Sequence, residues 1–194
     1  MASTLNQFGV PLGGGAGRGG ILQPKTKHKF RVRVVNFGPV AGGIELSQQV
    51  VSVGRPQKQA SPVEVHSYNS IMYYAGKASW SSISLRVRDD VTNSVSKLVG
   101  HQVQKEMNHF QQTTPLAGSN YKFQTFIETL DGGDDAVLER WCLEGCYLEN
   151  VEYGENDYST ADYVEISMTI RYDNATQEGG LMPLAPQLGV GPLL

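Results

Sequence analysis

The residues that could carry chemistry in this 194-residue chain are few and scattered. Cys142 and Cys146 stand in a CxxxC spacing, with none of the further Cys or His ligands that a zinc site needs. That spacing is not the CxxC of redox enzymes, and an acidic, apolar neighbourhood raises a thiol pKa instead of activating it. The pair reads as buried, reduced thiols, with a disulfide or an inter-subunit bridge as the alternatives. Asp131, Asp134 and Asp135 gather around Gly132-Gly133, but the rest of a calcium loop and its closing Glu are missing, which leaves a surface turn. Asp89-Asp90 would suit paired catalytic carboxylates. Their place just before a helical apolar stripe has a simpler cause, because acids favour a helix start. Gly15, Gly17 and Gly20 spell GxGxxG, yet no strand precedes them and Pro24 follows, so the phosphate-holding helix of a dinucleotide site is absent. His28, His66, His101 and His109 stand singly, and no GxSxG, HExxH or P-loop is present. These residues point away from an enzyme and imply no cofactor and no metal.

Charge is more informative in its distribution than in its total of −3. From Arg18 to Lys58 there are eight basic residues and one acid, Glu45. From Glu128 to Glu165 there are twelve acids and one base, Arg140. Two readings fit: two solvated faces of opposite sign, or a self-complementary protein whose basic edge meets a neighbour's acidic edge. The basic run Lys25 to Lys29 lacks any nucleic-acid recognition signature, and the sequence pI is about 5.8. No run approaches the roughly 18 apolar residues of a membrane helix. The first residues lack a secretory pattern, so synthesis in the cytoplasm is expected.

The elements that must position these residues are mostly strands. Phe30, Val32 and Val34 alternate with Lys29, Arg31 and Arg33, a period of two. Ile44 to Val53 carries β-formers, and Val63 to Tyr68 reads as another strand. Together they predict a long hairpin over Val50 to Val65 whose polar tip is Gly54-Arg55-Pro56-Gln57-Lys58. Ile83, Leu85 and Val87 alternate with serines and arginines. Val91, Val95, Leu98, Val99, Val103, Met107 and Phe110 form one stripe of a helix of about five turns. Gly100 within it suggests close packing on a sheet, and Asp90 or Thr92 would cap it. Strands follow at Tyr121 to Leu130, at Cys146 to Tyr153 and at Tyr163 to Tyr172, with a short turn or helix at Ala136 to Arg140. The expected fold is mainly β (α+β): an antiparallel sandwich or barrel of about seven strands with one helix packed on it. Residues 1–24 and 174–194 read as flexible arms around a β-domain at 25–173.

Tyr74-Ala75-Gly76-Lys77-Ala78-Ser79-Trp80 leads into Ser82 to Asp90 and then a helix, and Trp141 to Cys146 precedes the closing strand. Over residues 29 to 173 this succession resembles the tail tube proteins of contractile-tailed bacteriophages. The resemblance implies a structural virion protein that forms hexameric rings. Their sheets would join into one continuous β-barrel, and the rings would stack into a tube inside a contractile sheath. Expected partners are further copies of the chain, the tail sheath, tape measure, baseplate and tail terminator proteins, and phage DNA passing through the lumen, with no membrane insertion. On this reading the hairpin residues Gly54, Arg55, Pro56, Gln57 and Lys58 make the contact between rings. The acids Glu128, Asp131, Asp134 and Asp135 either line the lumen, where anionic walls would not hold DNA, or sit on outer loops. The alternatives are the tube of a related machine, such as a type VI secretion system, and a capsid-decorating or carbohydrate-binding β-sandwich.

Overall fold

The computed structural model describes residues 25–39, 43–130, 136–159 and 161–179. Residues 1–24, and 180–194 of the predicted C-terminal arm, lie outside them. The elements in chain order are β1 (Phe30–Val35), α1 (Gly43–Gln48), β2 (Val50–Val53), β3 (Gln57–Ser67), β4 (Ser70–Ser81) and β5 (Ile83–Arg88). There follow α2 (Ser94–Glu106), a 3-10 turn (Gly118–Asn120), β6 (Phe123–Leu130), β7 (Val137–Glu152), β8 (Glu165–Arg171) and β9 (Asn174–Gly179). The main sheet path runs β1-β6-β7-β8-β5-β2, with β9 also beside β7, and β3-β4 form a separate two-stranded ribbon. Every pairing is antiparallel.

β7 holds the two halves together. Its Val137-to-Cys146 stretch pairs with β6, and Glu139 to Glu144 pair with β9 on the other edge. Beyond Cys146, Tyr147 to Glu152 pair with β8. The core between the halves follows from period-two patterning. Ile83, Leu85 and Val87 are buried opposite Ile170, Met168 and Ile166 in register, while Ser84, Arg86 and Arg88 face outward. Each such buried side chain contributes about 1.5–3 kcal/mol. Val95, Leu98 and Val99 of α2 join this core, and Phe37 meets Phe123 edge-on at 4.9 Å.

Several expectations need correction. The helix has 13 residues and starts at Ser94, and Val91 and Phe110 of the expected stripe are fully exposed. Asp90 causes the late start: its carboxylate accepts from the Ser94 N–H and hydroxyl and from the Thr92 hydroxyl, each at 2.8 Å. That clamp holds residues 90–93 in a turn, with Asn93 left-handed at φ 55°. Gly100 does not pack closely, since a Cβ there would meet nothing within 4 Å. The Ile44-to-Val53 strand is a helix up to Gln48, and only Val50–Val53 is extended. Ala136 to Arg140 is no turn or helix, because Val137 to Arg140 are drawn into the ladder opposite Glu128, Thr129 and Leu130. Asn174–Gly179, placed by sequence in an arm, is a strand held by β7.

Candidate assembly surfaces

The β3–β4 ribbon stands off the sheets. Eleven residues of β3 at about 3.3 Å each make it about 35 Å long. Its turn is Tyr68-Asn69, with Tyr68 at φ 40° and the Ser70 hydroxyl donating to the Ser67 carbonyl at 3.2 Å. The register puts Val63 opposite Tyr74 and Val65 opposite Met72, so these four side chains share one face. All four are exposed, between 40% and 57%. The other face mixes Glu64, Tyr73, His66 and Ile71. Midway, the pairing shifts between Ala60 and Pro62, and a Cβ on Gly76 would press into the Ser61 carbonyl, so only glycine lets the strands approach there. At the root, Trp80 lies against Tyr172 with ring centroids 6.0 Å apart and packs on the core.

A second surface is the outward face of β1, β6, β7 and β9. In register, Arg31 faces Glu128, Glu128 faces Arg140, and Arg140 faces Glu178, a row of alternating sign across four strands. The contacts are 2.8, 2.9 and 3.4 Å in turn, with Arg33 a further 3.9 Å from Glu128. Burial pushes the Glu128 carboxyl up, but the three arginines outweigh it and hold it below the usual carboxylate range. On the opposite face of the same strands, Glu139 accepts from Lys25 at 2.8 Å and from the Trp141 indole at 2.8 Å, with Arg55 at 3.8 Å. Lys25 foremost keeps its pKa low. The opposite charges of the two halves therefore meet inside one subunit, because β1 is laid beside β6 and β6 beside β7.

The outer edges of β1 and β2 both border one open cleft of about 960 Å³, floored by Ile127 and Thr129. Its rim carries Lys25, Lys27, His28, Arg31 and Arg55. Among the described residues, no strand pairs with the outer edge of β1, β2 or β9. Unpaired edges invite another chain.

The predicted site residues fall in different places. Gly54-Arg55-Pro56 is the crossing from β2 into β3, and Gln57 and Lys58 open β3, so these five residues form the ribbon's root and not its tip. The reason is that Gln57 to Ser61, polar as they are, stay in the ladder opposite β4. Glu128 has no exposed surface and is covered by arginines, so it offers no charge to a channel. Asp131, Asp134 and Asp135 lie outside the described residues. Cys142 and Cys146 are buried, unbonded thiols, and burial pushes the Cys146 thiol up to about 11. The structure adds Val63, Val65, Met72 and Tyr74, which sequence reading missed. Their signal was the run of β-formers on both sides of Tyr68-Asn69. Among the described residues, no group of three or more His, Cys, Asp or Glu stands close enough to hold a metal, and no helix is long and apolar enough to cross a membrane.

No protein-family model and no curated protein matches the sequence. Solved structures do match in fold. A chain of the anti-feeding prophage baseplate, six-fold symmetrised, superposes with TM-score 0.58 at 12% identity, covering 84% of this chain and all of that one. A chain of the sheath-tube complex of an extracellular contractile injection system in its extended state gives 0.59 at 13%, covering 82% and 94%. The SPP1 tail tube gives 0.56 at 11%, covering 80% of each. The chain thus shares the mainly β fold of these chains, over 80% or more of the length of each.

Proposed function

We propose that this protein is a structural building block, not an enzyme, whose copies join edge to edge into six-membered rings that stack into a tube. One observation carries the reading: a long ribbon with an exposed apolar face stands on a sheet whose outer edges pair with no strand among the described residues. Further copies of the same chain, or a partner, would bury both features. The fold likeness to tube components supports it.

The finer proposal is the inner tail tube of a contractile-tailed phage. It would lie inside a sheath, end at a terminator and a baseplate, be measured by a tape-measure protein, and pass DNA to the host. The sequence resemblance over residues 29 to 173 supports this, and so does the likeness to a chain described within a sheath-tube complex. The ring-to-ring contact is assigned to the distal ribbon around Val63, Val65, Met72 and Tyr74, with Gly54 to Lys58 as its root. The acidic lumen is left to Asp131, Asp134 and Asp135 in the β6–β7 connection.

Electron microscopy of the purified protein across a concentration series tests the first claim. Rings and tubes are expected, and a monomer at every concentration sinks it. Replacing residues 62–75 with a short Gly-Ser turn should preserve the fold and single rings while abolishing tubes. Tubes of normal length from that variant would move the stacking role elsewhere.

A further inference from the structure

The charge row Arg31–Glu128–Arg140–Glu178 begins positive at one outer edge of the described sheet and ends negative at the other. We propose that this row sets the polarity of assembly: the β9 edge of one copy pairs with the β1 edge of the next, Glu178 meeting the neighbour's Arg31. The proposal rests on the ring reading above and specifies its joint.

Three observations carry it. Strand direction comes first. β1 is antiparallel to β6, β6 to β7 and β7 to β9, so β9 runs opposite to β1. A neighbour rotated about a ring axis keeps its orientation, and its β1 then lies antiparallel beside β9 with no flip. Every strand of the joined sheet alternates, as it does within the subunit.

Charge is the second. Glu178 is 60% exposed and Arg31 is 40% exposed, so each has surface to give although each already has a partner inside its subunit. Across a β9-to-β1 joint the signs continue plus, minus, plus, minus. Joining β1 to β1 sets arginine against arginine, and joining β9 to β9 sets Glu178 against Glu178. Like charges directly opposite one another weaken a sheet, and this selects the heterologous joint. Such a joint repeats under rotation and closes into a ring, whereas either like-with-like joint stops at a dimer.

The supply of cations is the third. Three of them on the face of the row, Arg31, Arg33 and Arg140, answer one covered carboxylate, Glu128. The β1 side therefore holds positive charge beyond what its own acids balance, and β9 brings the acid.

The pairing fixes a register that can be read. With Glu178 opposite Arg31, Thr176 falls opposite Arg33, and Asn174 opposite Val35. Val35 and Asn174 are both exposed, and both native thiols are buried. Val35→Cys and Asn174→Cys are made as separate full-length proteins and oxidised singly and mixed. The expected result is cross-linked dimers only in the mixture, and a ladder of oligomers from the double variant. Cross-linking of Val35→Cys alone, or of Asn174→Cys alone, overturns the proposed polarity. Rings that form by microscopy without any cross-link overturn the joint and leave the ring reading standing. Absence of rings in the unmodified protein overturns both.

Glu178→Arg, with its fold checked by circular dichroism, should lose rings at low salt and regain part of them at 1 M salt. Screening there shortens to about 3 Å. Normal rings from that variant at low salt also overturn the proposal.

Discussion

Glu128 shows how much a single residue's setting departs from its sequence neighbourhood. It sits in an acid-rich stretch, which suggests a solvated surface, yet three arginines from β1 and β7 enclose it. Its folded pKa lies below the unfolded value, as do those of Glu139, held first by Lys25, and Asp90, held first by the Ser94 N–H. A depressed carboxylate stabilises the fold above its unfolded pKa, near 4, and that contribution is lost as pH falls through the folded value. Glu106 has the opposite sign. Burial raises it despite hydrogen bonds from the Leu148 N–H and Gln102, so its contribution is present below the unfolded pKa and is lost as pH rises through the folded one. Asp157, held low by its Ser159 hydrogen bonds, is a fourth depressed group, and four against one raised group predict a Tm that falls as pH drops from 5 to 3. In Glu128→Gln, Tm at pH 7 should be lower and the acid slope shallower, as read from melts at a series of pH values. An unchanged slope would show that Glu128 is not a main carrier of the acid sensitivity. At this scale the sequence revealed the buried thiols, since nothing near them offered a ligand. It concealed Glu128, because its partners are 97 residues upstream and 12 downstream.

Among the elements, β5 and β8 were legible because one buried face and one wet face leave a period of two in the residues. The helix was legible in kind but not in length, since a stripe of apolar spacing continues past the turn that Asp90 imposes. Its inner face also includes Gln102, a polar residue no stripe would contain. The Gln102 amide is fully used: its oxygen accepts the Gly38 N–H at 3.0 Å, and its nitrogen donates to the Tyr121 carbonyl at 2.8 Å and to Glu106 at 3.0 Å. Gly100, by contrast, serves no packing purpose in the subunit. Gly100→Ala should therefore stabilise it by about 1 kcal/mol, the helix-propensity difference, in denaturant melts. A loss of stability would mean that the helix is held more tightly than its open surroundings indicate. The ribbon was misplaced along the chain because Gly54, Pro56 and Pro62 are turn formers. In the structure they mark its root and a bulge, while an ordinary Tyr68-Asn69 makes the turn.

For the molecule as a whole, an antiparallel β-rich body with one main helix could be read from the residues, and the opposite charge of its halves was plain. How those charges are used was not, because it depends on which strands lie side by side. Sequence gives the signs but not the strand order β1-β6-β7. The same order makes β7 the member common to both halves of the main sheet, 16 residues running from the β6 and β9 pairing into the β8 pairing. In mechanical terms β7 is a tie rod. A load drawn along it must shear rows of backbone hydrogen bonds together and cannot open them one at a time. The two halves cannot part while β7 is intact, and they should fail as one. Pulling a single subunit between residue 31 in β1 and residue 86 in β5, one in each half, should give one rupture step, and two well-separated steps would show that the halves carry load independently.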